Sequence, residues 1–67
     1  MNKIRSTGRF YLLENRKMMT IEILRAGREY DACAWYDLES GIYGQSRSLS
    51  VKKAVYIAIR RLKEMST

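Results

Sequence analysis

Three groups of side chains have types and spacings suited to recognition chemistry. Ser46, Arg47, Ser48 and Ser50 run directly into Lys52 and Lys53. If a helix starts at Ser50, hydroxyls, unbonded backbone N–H groups and ammoniums gather at a helix end of partial positive charge, which makes a seat for phosphate. Bases in a first turn oppose that charge, where acids would stabilise by about 0.3–1 kcal/mol, and such departures tend to mark functional positions. The plain alternative is a serine N-cap followed by solvated lysines. Lys53, Tyr56, Arg60 and Lys63 then recur at intervals of three, four and three. A helix aligns them on its outer face, where a tyrosine among bases can stack on a nucleobase or anchor a protein partner, or where the strip is simply a charged solvent face. Ile57 lies beside this strip. The third group is aromatic: Tyr11, Tyr30, Trp35, Tyr36 and Tyr43 must partly fill a core, and an open sheet face would present the remainder. Asp31 and Asp37 share the alternation of Trp35 and would repel a nucleic-acid backbone, so Trp35 reads as a protein interface or a dimer anchor.

Catalytic chemistry is poorly supplied. The chain has no histidine and one cysteine, Cys33, which removes a Ser-His-Asp triad, a Cys-His pair and an ordinary His/Cys zinc site. Asp37 and Glu39 flank a turn rather than a cleft, so they read as solvated carboxylates and not as an acid-base pair. Gly41-Ile42-Tyr43-Gly44 has neither the spacing of a dinucleotide fingerprint nor the lysine of a P-loop. Cys33 lacks an imidazole partner and reads as a small packing residue. The expectation is a protein without enzymatic activity, cofactor or metal.

The elements that must carry these groups follow from periodicity. Residues 9–15 and 18–25 are rich in aromatic and branched side chains and are joined by a turn at Asn15 to Lys17, which predicts a hairpin. Residues 29–38 alternate, with Tyr30, Ala32, Ala34 and Tyr36 on one face and Glu29, Asp31, Cys33, Trp35 and Asp37 on the other, the signature of a half-buried strand. A turn at Glu39-Ser40-Gly41 leads into a short strand over 42–47. From residue 50 to 65 the period becomes helical: Val51, Ala54, Val55, Ala58, Leu62 and Met65 form one stripe, with Ile59 at its edge. The pattern predicts one α+β domain over residues 1–67, a three- or four-stranded antiparallel sheet followed by a C-terminal helix packed on it.

Residues 30–62 resemble the HicB-like antitoxin domain. In that family a strand leads through an Asp-Leu-Pro-Gly type of turn and a short strand into a helix opened by Thr, an apolar residue, two acids and Ala. Asp37-Leu38-Glu39-Ser40-Gly41 stands at the turn here, Gln45 follows, and Ser50-Val51-Lys52-Lys53-Ala54 opens the helix. The proline and glycine are altered, two extra residues follow Gln45, and Lys52 and Lys53 replace the acid pair. Double-stranded RNA-binding domains are similar more faintly, through three strands and a helix opened by paired lysines. Both resemblances imply sheet then helix, and neither transfers a site.

Charge and size complete the expectation. A 7.9 kDa chain with a formal charge of +6 and a pI near 9.8 favours anionic partners, chiefly nucleic acid. The charge comes in blocks. Residues 1–28 carry seven bases against two acids, residues 29–45 four acids and no base, and residues 46–67 six bases against one acid. Such a chain can also pair with a mixed-charge protein or with itself. A core this small usually needs a staple, a metal or a partner to exceed about 3–5 kcal/mol of stability, and a lone cysteine provides no internal disulfide, so a homodimer enters the expectation. Lys3, Arg5 and Arg9 precede only four apolar residues, Phe10 to Leu13, too few for a signal peptide or a membrane span, which need about 7–15 and about 20. The setting read from these features is cytoplasmic. The leading function is a small non-enzymatic regulator contacting nucleic acid or a nucleoprotein through Arg47, Lys52, Lys53, Tyr56, Arg60 and Lys63. The alternative is a protein-binding inhibitor or adaptor of phage or mobile-element type, anti-defence or antitoxin-like, using Trp35, Tyr56 and Ile57.

Overall fold

Asn15 and Arg16 both adopt positive φ, 52° and 65°, the backbone of a two-residue type I′ turn whose twist matches antiparallel strands. Asparagine tolerates this conformation, whereas arginine lacks the local hydrogen bond that eases it. In the computed structural model, which describes the backbone of residues 5–65 and the side chains of residues 8–65, this turn joins β1 (Arg5–Glu14) to β2 (Lys17–Ala26). Glu14 faces Lys17 next to the turn, and the ladder runs back to Arg5 opposite Arg25 with one irregularity between Ser6 and Gly8. The side chains of Lys3 and Arg5, part of the basic N-terminal block, lie outside the described residues.

Gly27, at φ 64°, turns the chain into β3 (Glu29–Trp35), which pairs with β2 from Ala26↔Glu29 to Thr20↔Trp35. The strand stops at Trp35 rather than residue 38. Asp37 accepts the Glu39 N–H at 3.1 Å and caps a short 3-10 turn, Leu38–Ser40, which Gly41 closes in the left-handed region at φ 75°. The Asx cap and the glycine win over the sequence alternation because they satisfy the local backbone without a neighbouring strand. β4 (Gly44–Ser48) accordingly starts two residues later than residue 42 and pairs antiparallel with β3. The sheet order is β1-β2-β3-β4.

α1 (Val51–Met65) begins where expected. Ser50 caps it: its side-chain oxygen accepts the Lys53 N–H at 3.3 Å and its carbonyl accepts the Ala54 N–H at 3.0 Å. Ala54, Ala58 and Leu62 are fully buried, whereas Met65 is 53% exposed although it continues the same stripe. The helix lies on β3 and β4, with lighter contact to β2. Side-chain size explains this placement. The helix side of β3 and β4 carries Ala32, Ala34, Gly44 and Ser46, all buried, so two alanine-faced elements approach closely. A Cβ added to Gly44 would lie 2.0 Å from the Ala58 carbonyl oxygen and 2.6 Å from the Leu62 nitrogen. Met19, Ile21 and Ile23 of β2 complete the core. The one-sided arrangement leaves the helix side of β1 largely uncovered. Phe10 and Leu12 sit there opposite Ile21 and Met19 and remain 37% and 42% exposed.

No described helix is long and apolar enough to cross a membrane.

Candidate nucleic-acid interface

The predicted strip on α1 assembles as a surface. Lys52, Lys53, Tyr56, Arg60 and Lys63 are all exposed, with Tyr56 at 64%. Tyr56, Arg60 and Lys63 line one open depression of about 530 Å³ together with Ile59 and Glu64. The wall is mostly apolar, supplied by the tyrosine ring and the isoleucine, and the rim is charged.

Its charges differ in availability. Lys63 is bound to Glu14 of β1 at 2.9 Å. That hydrogen bond holds its ammonium above the ordinary lysine range, with burial opposing. Arg60 lies 3.6 Å from Glu64 one turn on, both well exposed, an arrangement that contributes little and leaves the guanidinium available. The ammoniums of Lys52 and Lys53 make no ion pair or side-chain hydrogen bond among the described residues. They are the freest cations of the strip.

Arg47 does not join them. It belongs to the sheet face opposite the helix, where it sits across from Asp31 and donates from Nε to Oδ1 at 2.6 Å and from Nη2 to Oδ2 at 3.0 Å. This two-pronged hydrogen bond is the main reason the Asp31 carboxyl is held below the usual carboxylate range, with burial opposing. Of the serines, Ser46 is buried beneath the helix, Ser48 accepts the Ser50 N–H at 3.2 Å, and Ser50 is the cap. Ser46 is thus shut away from the helix start, and Ser48 and Ser50 use their side-chain oxygens to accept local backbone N–H groups.

Sequence reasoning passed over two further arginines at this end of the sheet. Arg25 faces Tyr30, and Tyr30 faces Ser48, so the turn carrying Arg28 lies at the same end of the sheet as the start of α1. Arg25 lies over the Tyr30 ring, 5.7 Å from its centroid, and its Nε donates to the Gly27 carbonyl at 3.2 Å. Arg28 is exposed. Arginines on either side of Ala26-Gly27 were the available signal, legible only once the hairpin register was known.

The residues assigned to a protein interface are dispersed. Trp35 is on the open sheet face, as the alternation of residues 29–37 indicates, but it is 9% exposed. The Arg9 guanidinium lies 5.9 Å from the centroid of its ring while donating to Glu22 at 3.0 Å. Ile57 is half-buried on the flank of α1 nearest β4, one turn before Arg61, whose guanidinium donates to the Gln45 carbonyl at 2.7 Å. It does not line the depression that Tyr56 lines. Cys33 is partly buried, and burial, followed by the charges of Glu22 and Asp31, pushes its thiol up. It stays protonated and unreactive near neutrality. No group of three or more His, Cys, Asp or Glu able to hold a metal occurs among the described residues.

A run of exposed apolar side chains lies elsewhere, on Phe10, Tyr11, Leu12 and Leu13 of β1 and Met18 of β2. Its signal was the unbroken apolar run at residues 10–13, where a half-buried strand would alternate. Comparison with models of protein families, with curated proteins and with solved structures finds no match to this chain.

Proposed function

We propose that this protein is a small non-enzymatic regulator that binds nucleic acid, or a nucleoprotein, through the outer face of α1. The observation that supports this most directly is the pairing of two uncommitted ammoniums, Lys52 and Lys53, with an exposed Tyr56 above a depression edged by Arg60 and Lys63. Cations engage phosphates while the ring offers a base an apolar face, the combination used by proteins that bind strands without reading sequence. Arg28, at the same end of the sheet as the helix start, extends the basic surface in place of Arg47. The reading keeps the cytoplasmic setting expected from an apolar run at residues 10–13 too short for a signal peptide or a membrane span.

The test is binding to mixed DNA and RNA fragments, measured by fluorescence anisotropy across salt. Affinity is expected to fall by orders of magnitude between about 50 and 200 mM salt, because log K drops by about 0.9 per phosphate contact for each decade of salt. The double variant Lys53→Glu/Arg60→Glu should lose binding while its circular dichroism stays native. An affinity flat in salt, or a double variant that binds normally, would reject the reading.

A second reading, an inhibitor or adaptor that binds a protein, draws support from the exposed apolar tract at Tyr11, Leu13 and Met18. Trp35, on the same face beyond Thr20 and with Arg9 over its ring, would border that tract rather than anchor it.

A further inference from the structure

The free edge of β1 has the properties of a self-pairing surface. A two-residue hairpin closes on a hydrogen-bonded pair, here Glu14 and Lys17, after which bonded and non-bonded pairs alternate. Leu12 and Phe10 therefore bond to β2, while Arg9, Tyr11 and Leu13 aim their backbone N–H and C=O groups outward. Regular pairing runs from Gly8, after the irregularity at Ser6/Gly8, to Glu14 at the turn. Tyr11 is the midpoint of that stretch, and the three outward residues are symmetric about it.

We infer that two copies of this chain join through β1, antiparallel, with a two-fold axis perpendicular to the sheet at Tyr11. The register then pairs Tyr11 with Tyr11 and Arg9 with Leu13 on the open face, and Phe10 with Leu12 on the helix face. Same-face residues meet across the axis only if their numbers have equal parity, and this alignment obeys that rule. It also uses every outward donor and acceptor of Arg9, Tyr11 and Leu13, about six hydrogen bonds in all. The result is one continuous sheet of two four-stranded halves.

Area favours a second copy as the occupant. Phe10, Tyr11, Leu12, Leu13 and Met18 are 37%, 58%, 42%, 71% and 51% exposed, which leaves roughly 500 Å² of apolar side chain open at about 200 Å² per large residue. Non-polar atoms make up about 56–65% of the ~800 Å² that each partner contributes to a standard interface, an area this tract matches. An unguarded apolar edge of this length is a liability in a monomer, and a closed two-fold contact removes it.

The experiment is light scattering coupled to size exclusion, across concentration and at high salt, on the wild type and on Tyr11→Lys. The wild type should be a dimer that survives high salt, because backbone bonds and apolar contacts hold it. Tyr11→Lys places two ammoniums against each other on the axis and should raise the dissociation constant at least tenfold. A second pair of variants guards against misfolding. In a Cys33→Ser background, Tyr11→Cys should form a disulfide-linked dimer on oxidation, since Cα atoms of a bonded antiparallel pair lie about 5.5 Å apart, whereas Gln45→Cys on β4 should not. A wild type that is monomeric at about 0.1 mM, or crosslinking through Gln45→Cys and not through Tyr11→Cys, overturns the inference. Neither result bears on the nucleic-acid surface of α1, which is scored by its own salt dependence.

Discussion

The sheet has two edges, built on opposite principles. β4 is short, its residues alternate between burial under α1 and polar exposure, and one of its edge carbonyls, that of Gln45, accepts the Arg61 guanidinium at 2.7 Å. A brief strand with a cation on its rim is a poor template for another chain. β1 is twice as long, apolar on both faces over Phe10 to Leu13, and meets the helix through the Glu14–Lys63 ion pair. Nothing among the described residues covers its outer edge. The contrast shows where the constraints fall: β4 is specified by what packs on it within the chain, and β1 by what remains to be packed.

The sharpest way to break that contrast is to crowd the β4 side. Gly44→Ala drives a methyl into the Ala58 carbonyl and the Leu62 nitrogen, both backbone atoms that cannot swing aside. The helix would have to lift, and the loss should be about 3 kcal/mol or more. In so small a domain that is most of the available stability, so thermal melting should show an unfolded or barely cooperative protein. A native melting curve would mean that the close approach of α1 to β4 is not required.

A moderate effect is expected at the ion pair on the open face. Asp31→Asn removes the carboxylate that fixes Arg47, and since the arginine is more than half exposed the loss should be about 1 kcal/mol at neutral pH. The pH dependence has a definite sign. The folded-state pKa of Asp31 is depressed, so its contribution is present above the unfolded value near 4 and disappears as pH falls through the lower folded value. Denaturant midpoints of wild type and variant should therefore converge in acid and separate above about pH 4. Equal pH profiles for the two would remove the Asp31–Arg47 pair from the account.

The smallest effect belongs to β1. Leu13→Lys changes a residue 71% exposed and should alter the stability of the dilute monomer by no more than about 0.5 kcal/mol. A loss near that of Gly44→Ala would show that β1 belongs to the same cooperative core as β4, and the contrast between the two edges would vanish.

How far the structure was legible beforehand follows the same division. The alternation of residues 29–37 sorted Ala32 and Ala34 onto one face and Trp35 onto the other, because a strand's period of two is a property of its own backbone, and the packing of α1 decided that the alanine face is the inward one. Ser50 and the stripe through Ala54, Ala58 and Leu62 located α1 for the same kind of reason. The early end of β3 at Trp35 was less legible, since an Asx cap at Asp37 competes with strand geometry on nearly equal terms. Within the candidate site, Lys53, Tyr56, Arg60 and Lys63 aligned as helical spacing requires. Arg47 did not accompany them, because an odd-numbered neighbour in a strand points to the opposite face from Ser46 and Ser48.

By itself, the sequence determined the order of elements, the two faces of β3, the buried stripe of α1 through Ala54, Ala58 and Leu62, and the basic outer face of α1, all of which are local consequences of spacing along one backbone. Only the tertiary structure decided that α1 lies over β3 and β4 and not across the whole sheet, because that depends on small side chains from distant segments, Ala32, Ala34, Gly44 and Ala58, meeting at close range. The same packing choice uncovers Phe10 and Leu12, gives β1 an open apolar edge, and lays Arg9 over Trp35. Each is a relation between residues far apart in the chain, and no local period encodes it.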